Sequence, residues 1–531
     1  MKPMARIPFL QSVPLAFAAA FLFSAGCAFS NPAASNLPTS RLVYPGEDGK
    51  LVYEPVGERG DRIPDFSHSG YRGGGKALPE VAAAATVAPG GDGGDDTARV
   101  QAAIDEVAER EPGANGYRGA VLLEPGTYRI HGQLQVDTGG VVLRGSGRGD
   151  GGTVLLGIGE ESRPIVRFQS PDNKNRDAGS RQAVTEAYVP LGSDRLTVED
   201  ASGFSVGDTV DVVRKGNAAW ISHLGMDAIT PRPSNPDATR NWGPFDLAFD
   251  RIVTAVEGNR ITLDAPIGMA IDERWGGGAV HRYEERRIAH VGIENLSLVS
   301  DPAHETDENH RGRGVQFDRI TNGWARDLTF RKLSHAAVSV TGNSKWITVR
   351  DCEYLEPASE IRGGRRAVYA VSSGQLVLVY RCEADEGRHS FHVGSRTAGP
   401  NAFVEGKATN THGKSGPHHR WSVSTLYDSM DGGEYRAEDR QWYGTGHGWA
   451  GVNVVFWNCR GKLFIQDPPT AWNFAIGFVG EKTGPSHDFT GHDWGYVEHF
   501  GEHVTPGSLY FAQLEDRLGA EAVEAVRGEP E

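Results

Sequence analysis

Short apolar runs separated by glycine dominate the chain. AVLLEPGTYRI, LQV, VVLRGSG and TVLL follow one another between residues 120 and 156, each reading as a strand closed by a turn. Ahead of them, DGGDDTARVQAAIDEVAER (92–110) carries the helical period. Asp96 or Thr97 can cap it, and Val100, Ala103, Ile104 and Val107 give it one apolar face. From residue 283 short strands return: VGIENLSLV, ARDLTF, WITVRDCEYL, LVLVYRCEA, FVEGKATNT and VVFWNC. Their mixed apolar and polar character suits coils with one face filling a bore and the other facing water. The spacing approaches a repeat: 30 residues from Cys352 to Cys382, 25 from Val379 to Val404, and 52, or two coils of 26, from Lys407 to Cys459. The pattern predicts an all-β parallel solenoid.

Between 176 and 282 the texture differs. RLTVEDASGFSVGDTVDVVR and AVEGNRITLDAPI read as antiparallel hairpins, so this segment is expected to be a small inserted β module. The division is therefore an export segment over 1–27, an irregular lead-in over 28–85 and the first solenoid part with its helix over 86–175. The inserted module occupies 176–282, the main solenoid with its groove 283–485, and a tail with a helix 486–531. The tail helix, with Leu509, Leu514, Leu518 and Val526 in register, is expected to dock on the C-terminal end of the solenoid.

The N-terminus, MKPMARIPFLQSVPLAFAAAFLFSAGC, has a charged start, an apolar stretch and small residues before Cys27. It reads as an export signal with the layout of a bacterial lipobox. Cys27 is the expected lipid anchor, which makes the protein a cell-envelope lipoprotein, in the outer membrane or periplasm; cleavage near Ser30 would leave it secreted. Lipid is the one expected link to a membrane, since no later apolar run is long enough to span one. Three cysteines then remain, and RDCEY, YRCEA and WNCRG place Cys352, Cys382 and Cys459 at one recurring, buried position.

Composition narrows the partners. Net charge is −15, which argues against nucleic acid. Against that background, residues 388–420 hold five His and five Lys or Arg against a single acid, Glu405. A shift of 26 lays Arg388 on Lys414 and His392 on His418, and a further step reaches Tyr443 and His447. This column predicts a groove for an anionic polysaccharide, worked by a monomer. A uronate has an acidic C5–H beside its carboxylate, and β-elimination needs a base for that proton, an acid for the leaving O4 and cations for the enolate. His418, His419, Lys414, Arg420, His447 and Tyr443 are the candidate catalytic residues. Arg388, His389, His392, His412, Tyr427 and Trp421 are candidate substrate contacts. No residues match a specific metal motif.

The order of helix, VLLEPGTYRI and VVLRGSG resembles the opening of the pectate-lyase superfamily, in which a helix caps a right-handed parallel β-helix. NTHGKSGPHHRWSVSTLYD with GTGHGWAGVNVVFWNC is similar to exported bacterial β-helix proteins placed near polysaccharide lyases. The resemblance implies a carbohydrate-active role on a right-handed parallel β-helix. Alginate lyases and chondroitinases of this type use a Lys/Arg pair, often with calcium at the carboxylate; this sequence has the cations without a clear acidic calcium cluster. GTGHGW also resembles the GHG turn of polygalacturonases, which keeps a glycoside hydrolase open as an alternative, with Asp385, Asp428 and Asp431 as scattered candidates. A non-catalytic glycan-binding surface protein is the third reading.

Overall fold

Strands Ile288–Ser300, Ile320–Arg331 and Lys345–Leu355 stack in parallel, with Ile293 opposite Ala325 and Ala325 opposite Val349. They belong to a right-handed parallel β-helix whose ladder runs from Ala83 to Glu498. The structure is a computed structural model describing residues 37–91, 93–486 and 491–528. Cys27 and the export segment lie outside the described residues.

Each coil of the main solenoid turns one corner on a left-handed residue. Asn295, Asp327, Asp351, Arg381, Glu405, Ser429 and Asn458 have φ between 48° and 59°. That region is costly for L-residues but tolerable for one residue held by a ladder on both sides. The next residue of each coil then points into the bore, giving the column Leu296, Leu328, Cys352, Cys382, Gly406, Met430 and Cys459. The three cysteines therefore share one stacked position, and all three are free and buried. Aromatic rings stack beside them: Phe403 on Tyr427 at 5.0 Å and Tyr427 on Phe456 at 5.1 Å.

The register corrects the uniform step of 26. Glu383 lies opposite Lys407 and Lys407 opposite Asp431, a coil of 24, while Glu353 to Glu383 takes 30 and Asp431 to Arg460 takes 29. The basic coil is 24 residues, and the longer ones carry extra turn residues. In consequence His392 pairs with Gly416 and not with His418.

Helix Thr97–Ala108 buries Val100, Ala103, Ile104 and Val107 over the first coils. Asp96 pins it there by accepting the Arg129 and Gly90 N–H groups. Between Asn175 and Glu284 the strands turn antiparallel, as in Thr209–Arg214 against Leu247–Glu257. Their core of Trp220, Trp242, Phe245 and Phe249 continues into Trp421 and Trp449 of the solenoid. The tail forms two helices, Leu509–Leu518 and Ala520–Arg527, broken at Gly519. They lie along the side of the coils rather than on the end, because Leu378, Ala402, Leu426 and Val455 form an outward apolar stripe that Leu509, Phe511 and Leu514 cover. Asp428, the outward neighbour of that stripe, accepts Ser508 Oγ at 2.7 Å and Tyr510 N at 2.8 Å.

Candidate active site

Strand His389–Val393 alternates inward Phe391 and Val393 with outward His392. One coil on, strand Lys414–Pro417 ends and the chain turns out at His418 and His419. The next turn brings Tyr443 and His447. Five imidazoles meet here. His418 is the hub, with ring centroids 4.5 Å from His389, 5.1 Å from His392, 5.3 Å from His419 and 5.1 Å from His447. His419 and His447 close the ring at 5.1 Å.

These side chains, with Arg388 and Tyr443, line a groove of about 990 Å³. Its other basic walls are Arg232, Arg313, His335, Arg362 and Arg440. Five arginines and six histidines thus face the groove, and no Asp or Glu does so among the described residues. The sequence reading missed Arg232, Arg313, His335, Arg362 and Arg440. Stepping back from His389, the coils pass Ala367 and Ala336 to Arg313 in steps of 22, 31 and 23. Steps that uneven leave no period to follow.

Burial sets the charge state. Burial first, then His419, Arg440 and Arg388, pulls His392 down to about 3. Burial with Arg420 and Arg440 takes His419 to about 4, and burial with Arg440 and His419 takes His447 to about 2. His389 and His418 move the same way, again through burial first. The cluster is therefore neutral near pH 7. His389 is fixed as one tautomer: its Nδ1 donates to Lys414 O at 2.8 Å and its Nε2 accepts from Arg388 Nη1 at 2.7 Å. Nδ1 of His392, His419 and His447 has no hydrogen-bond partner among the described residues. Arg440 holds the hub from behind, donating to His418 O at 2.6 Å.

Five of the expected site residues lie elsewhere. Lys414 turns away to a buried cluster, bonding Glu438 and Ser486, with Arg436 on the far side of the carboxylate. Burial lowers Lys414 to about 8 against the pull of Glu438. Burial raises Glu438, but Lys414 and Arg436 outweigh it and hold the carboxyl at about 2. Arg420 does not line the groove; its Nη2 donates to Thr445 O at 3.0 Å and Oγ1 at 2.8 Å, bracing the turn of Tyr443 and His447. Tyr427 fills the bore and Trp421 packs edge-on against Trp220, both fully buried, so neither can contact a sugar. His412 is exposed outside the groove.

Calcium does not fit this groove. It takes oxygen ligands, and the wall offers guanidinium and imidazole groups. Among the described residues no group of three or more His, Cys, Asp or Glu is arranged to hold a metal ion.

No protein-family model matches the sequence, and no curated protein matches it. Solved structures do. The tailspike protein gp49 from Pseudomonas phage LKA1 matches at 13% identity over 72% of this chain and 56% of its own, with a TM-score of 0.42. ORF18 of Geobacillus virus E2 matches at 13% over 78% and 59%, TM-score 0.38. Polygalacturonase from Erwinia carotovora ssp. carotovora matches at 11% over 80% and 97%, TM-score 0.35. The chain spans little more than half the length of the two phage proteins. Identities this low carry no residue-level correspondence.

Proposed function

We propose that the protein is a polysaccharide lyase that cleaves a uronate-containing polymer by β-elimination. The observation that carries this reading is the groove wall: five arginines, six histidines and, among its described residues, no carboxylate. A glycoside hydrolase of the usual kind needs two carboxyl groups flanking the bond. Glu438 is spent on Lys414 and Arg436, and Glu360 is ion-paired to the wall residue Arg362. β-Elimination needs what is present.

In the reaction a neutral base removes the C5 proton, the electron pair forms the C4–C5 double bond, and the C4–O4 bond breaks as O4 takes a proton. His418 is the base in this reading. It sits at the hub, stays unprotonated near pH 7, and its ring makes no hydrogen bond among the described residues. His419 and His447, 5.3 and 5.1 Å from it, complete the wall around the reacting carbon. Arg388 and Arg440 face the uronate carboxylate, where negative charge grows in the transition state. The Tyr443 hydroxyl supplies the proton to O4; its ring stands 6.4 Å from that of His447. Arg420 and Lys414 act by positioning, through Thr445 and through the buried Glu438 pair.

The test is incubation with a panel of polyuronates, reading both the ultraviolet absorbance of the new double bond conjugated to the carboxylate and the reducing ends. A lyase gives both signals. Reducing ends without absorbance would make the protein a hydrolase, and neither signal with retained binding would make it a glycan-binding protein.

A further inference from the structure

The groove runs on past the histidines. Its floor is a column of outward residues in direct register: Gln316 opposite Ser339, Ser339 opposite Ala370, Ala370 opposite His392. Beside it, Arg313 lies opposite Ala336 and Ala367 opposite His389. Neighbouring parallel strands lie about 4.8 Å apart, which puts Arg313 about 14 Å along the axis from His389, roughly two to three sugar units. Between the two ends the floor is Ala336, Ser339, Ala367 and Ala370. Such small side chains leave a smooth trough with neither bulk nor charge.

Arg313 closes the far end. Its one side-chain hydrogen bond goes from Nη1 to Ser162 O at 3.3 Å, and no acid pairs with it among the described residues. His335 stands on the same wall, where burial with Arg313 and Arg365 brings it down to about 4; Arg362 also lines the wall and is ion-paired to Glu360. Several other arginines beside the sheet are matched to acids, Arg144 and Arg326 to Glu294, Arg381 to Asp351 and Arg167 to Asp318, whereas Arg313 is not. A half-buried guanidinium with no acid partner, at the end of an uncharged trough, is the complement of a fixed anion.

We infer that Arg313 forms an anion subsite for a sugar two to three units from the bond that is cut, recognising a carboxylate or a sulfate ester. The preferred substrate then carries repeated negative charge, and the enzyme selects chain length as well as the uronate at the centre. This inference rests on the lyase reading for the place of cleavage, but not for binding.

The experiment uses the full chain and Arg313→Gln and Arg313→Lys variants. The probes are oligogalacturonates, oligomannuronates and chondroitin oligosaccharides with and without sulfate, from two to six sugars. For the wild-type protein, kcat/KM rises with length until the subsite is filled. Arg313→Gln lowers kcat/KM for four sugars or more by about tenfold, mostly through KM, and has a far smaller effect on disaccharides. Arg313→Lys restores part of the loss. A response to sulfated chains alone assigns a sulfate subsite; a response to plain polyuronates assigns a carboxylate subsite. An equal loss at every length, or none at any length, overturns the inference. If the wild-type protein cleaves nothing, the lyase reading fails by itself, and calorimetric binding of the same oligomers decides the subsite. Length-dependent affinity that falls in Arg313→Gln supports it, and unchanged affinity rejects it.

Discussion

His389 and His418 stand edge to face, 4.5 Å between ring centroids, although 29 residues separate them in the chain. Their surroundings divide the work. His389 has both nitrogens committed, one to Lys414 O and one to Arg388. His418 has neither ring nitrogen engaged, while its backbone is tied at both groups, the N–H donating to Val393 O at 2.9 Å and the carbonyl accepting from Arg440. A ring that is fixed in place but free to accept a proton is what a general base requires.

His418→Ala should therefore remove cleavage by about 10²–10⁴ in kcat, the usual cost of losing a general base. Its far-ultraviolet circular dichroism should stay that of the wild type, since the ring lies outside the bore. Wild-type turnover in this variant would move the active site elsewhere.

Acid should unfold the protein early. His419, His392 and His447 hold folded values of about 4, 3 and 2, against 6.5 in the unfolded chain. As pH falls through 6.5 the unfolded chain takes up protons that the folded cluster refuses, so stability is full above 6.5 and declines from there toward 4 and below. Asp428, raised by burial to about 7, works in the opposite sense between 3.8 and 7 and offsets part of the loss. Urea midpoints at pH 8 and pH 5 measure the balance. The lower midpoint is expected at pH 5, and replacing His392 and His447 by Asn should flatten the difference. Equal midpoints in the wild type would contradict the buried neutral cluster.

Lys414 is expected to matter for stability rather than for chemistry. Lys414→Met leaves Glu438 in a site where its carboxylate is almost completely buried, with Arg436 as the remaining cation. Breaking a buried pair from one side costs about 3–5 kcal/mol. The loss should appear in denaturant unfolding, and Lys414→Met with Glu438→Gln should recover part of it. A variant that is stable yet inactive would return Lys414 to the catalytic group.

The fold was readable because its determinants are local. Glycine-broken apolar runs announce short strands, and the cap helix shows its own period through Val100, Ile104 and Val107. RDCEY, YRCEA and WNCRG mark a corner followed by a bore residue, so the cysteines report a true stacking position. The histidine column was legible for the same reason: an excess of one charge type in a short stretch. The register was not, because loops add five or six residues to some coils and none to others. Side-chain direction was hidden as well. Lys414 and His418 are four residues apart, yet one turns to Glu438 and the other to the groove. Trp421 and Tyr427 read as substrate contacts in the sequence, but whether an aromatic ring lies in a bore or on a wall depends on partners such as Trp220 and Phe403, on other elements of the chain.

The turn carrying Tyr443 and His447 depends on the inserted module. Arg240 N donates to Thr445 O at 3.2 Å, and Trp242 Nε1 donates to Gly446 O at 3.1 Å. Gly446 has φ 82°, and a Cβ there would stand 2.4 Å from Arg240 O. Neither the backbone angle nor the space admits a side chain without moving the module loop at Arg240 and the turn apart. Gly446→Ala should thus displace Tyr443 and His447 while leaving the bore untouched. A displacement near 1 Å at reacting groups lowers turnover on the order of 10². We expect kcat to fall by that order with a circular dichroism spectrum unchanged from wild type. Trp242→Phe, which removes one hydrogen bond and keeps the packing, should give a smaller loss in the same parameter. Full activity in Gly446→Ala would show that the turn tolerates displacement and that Tyr443 and His447 do not act on the substrate.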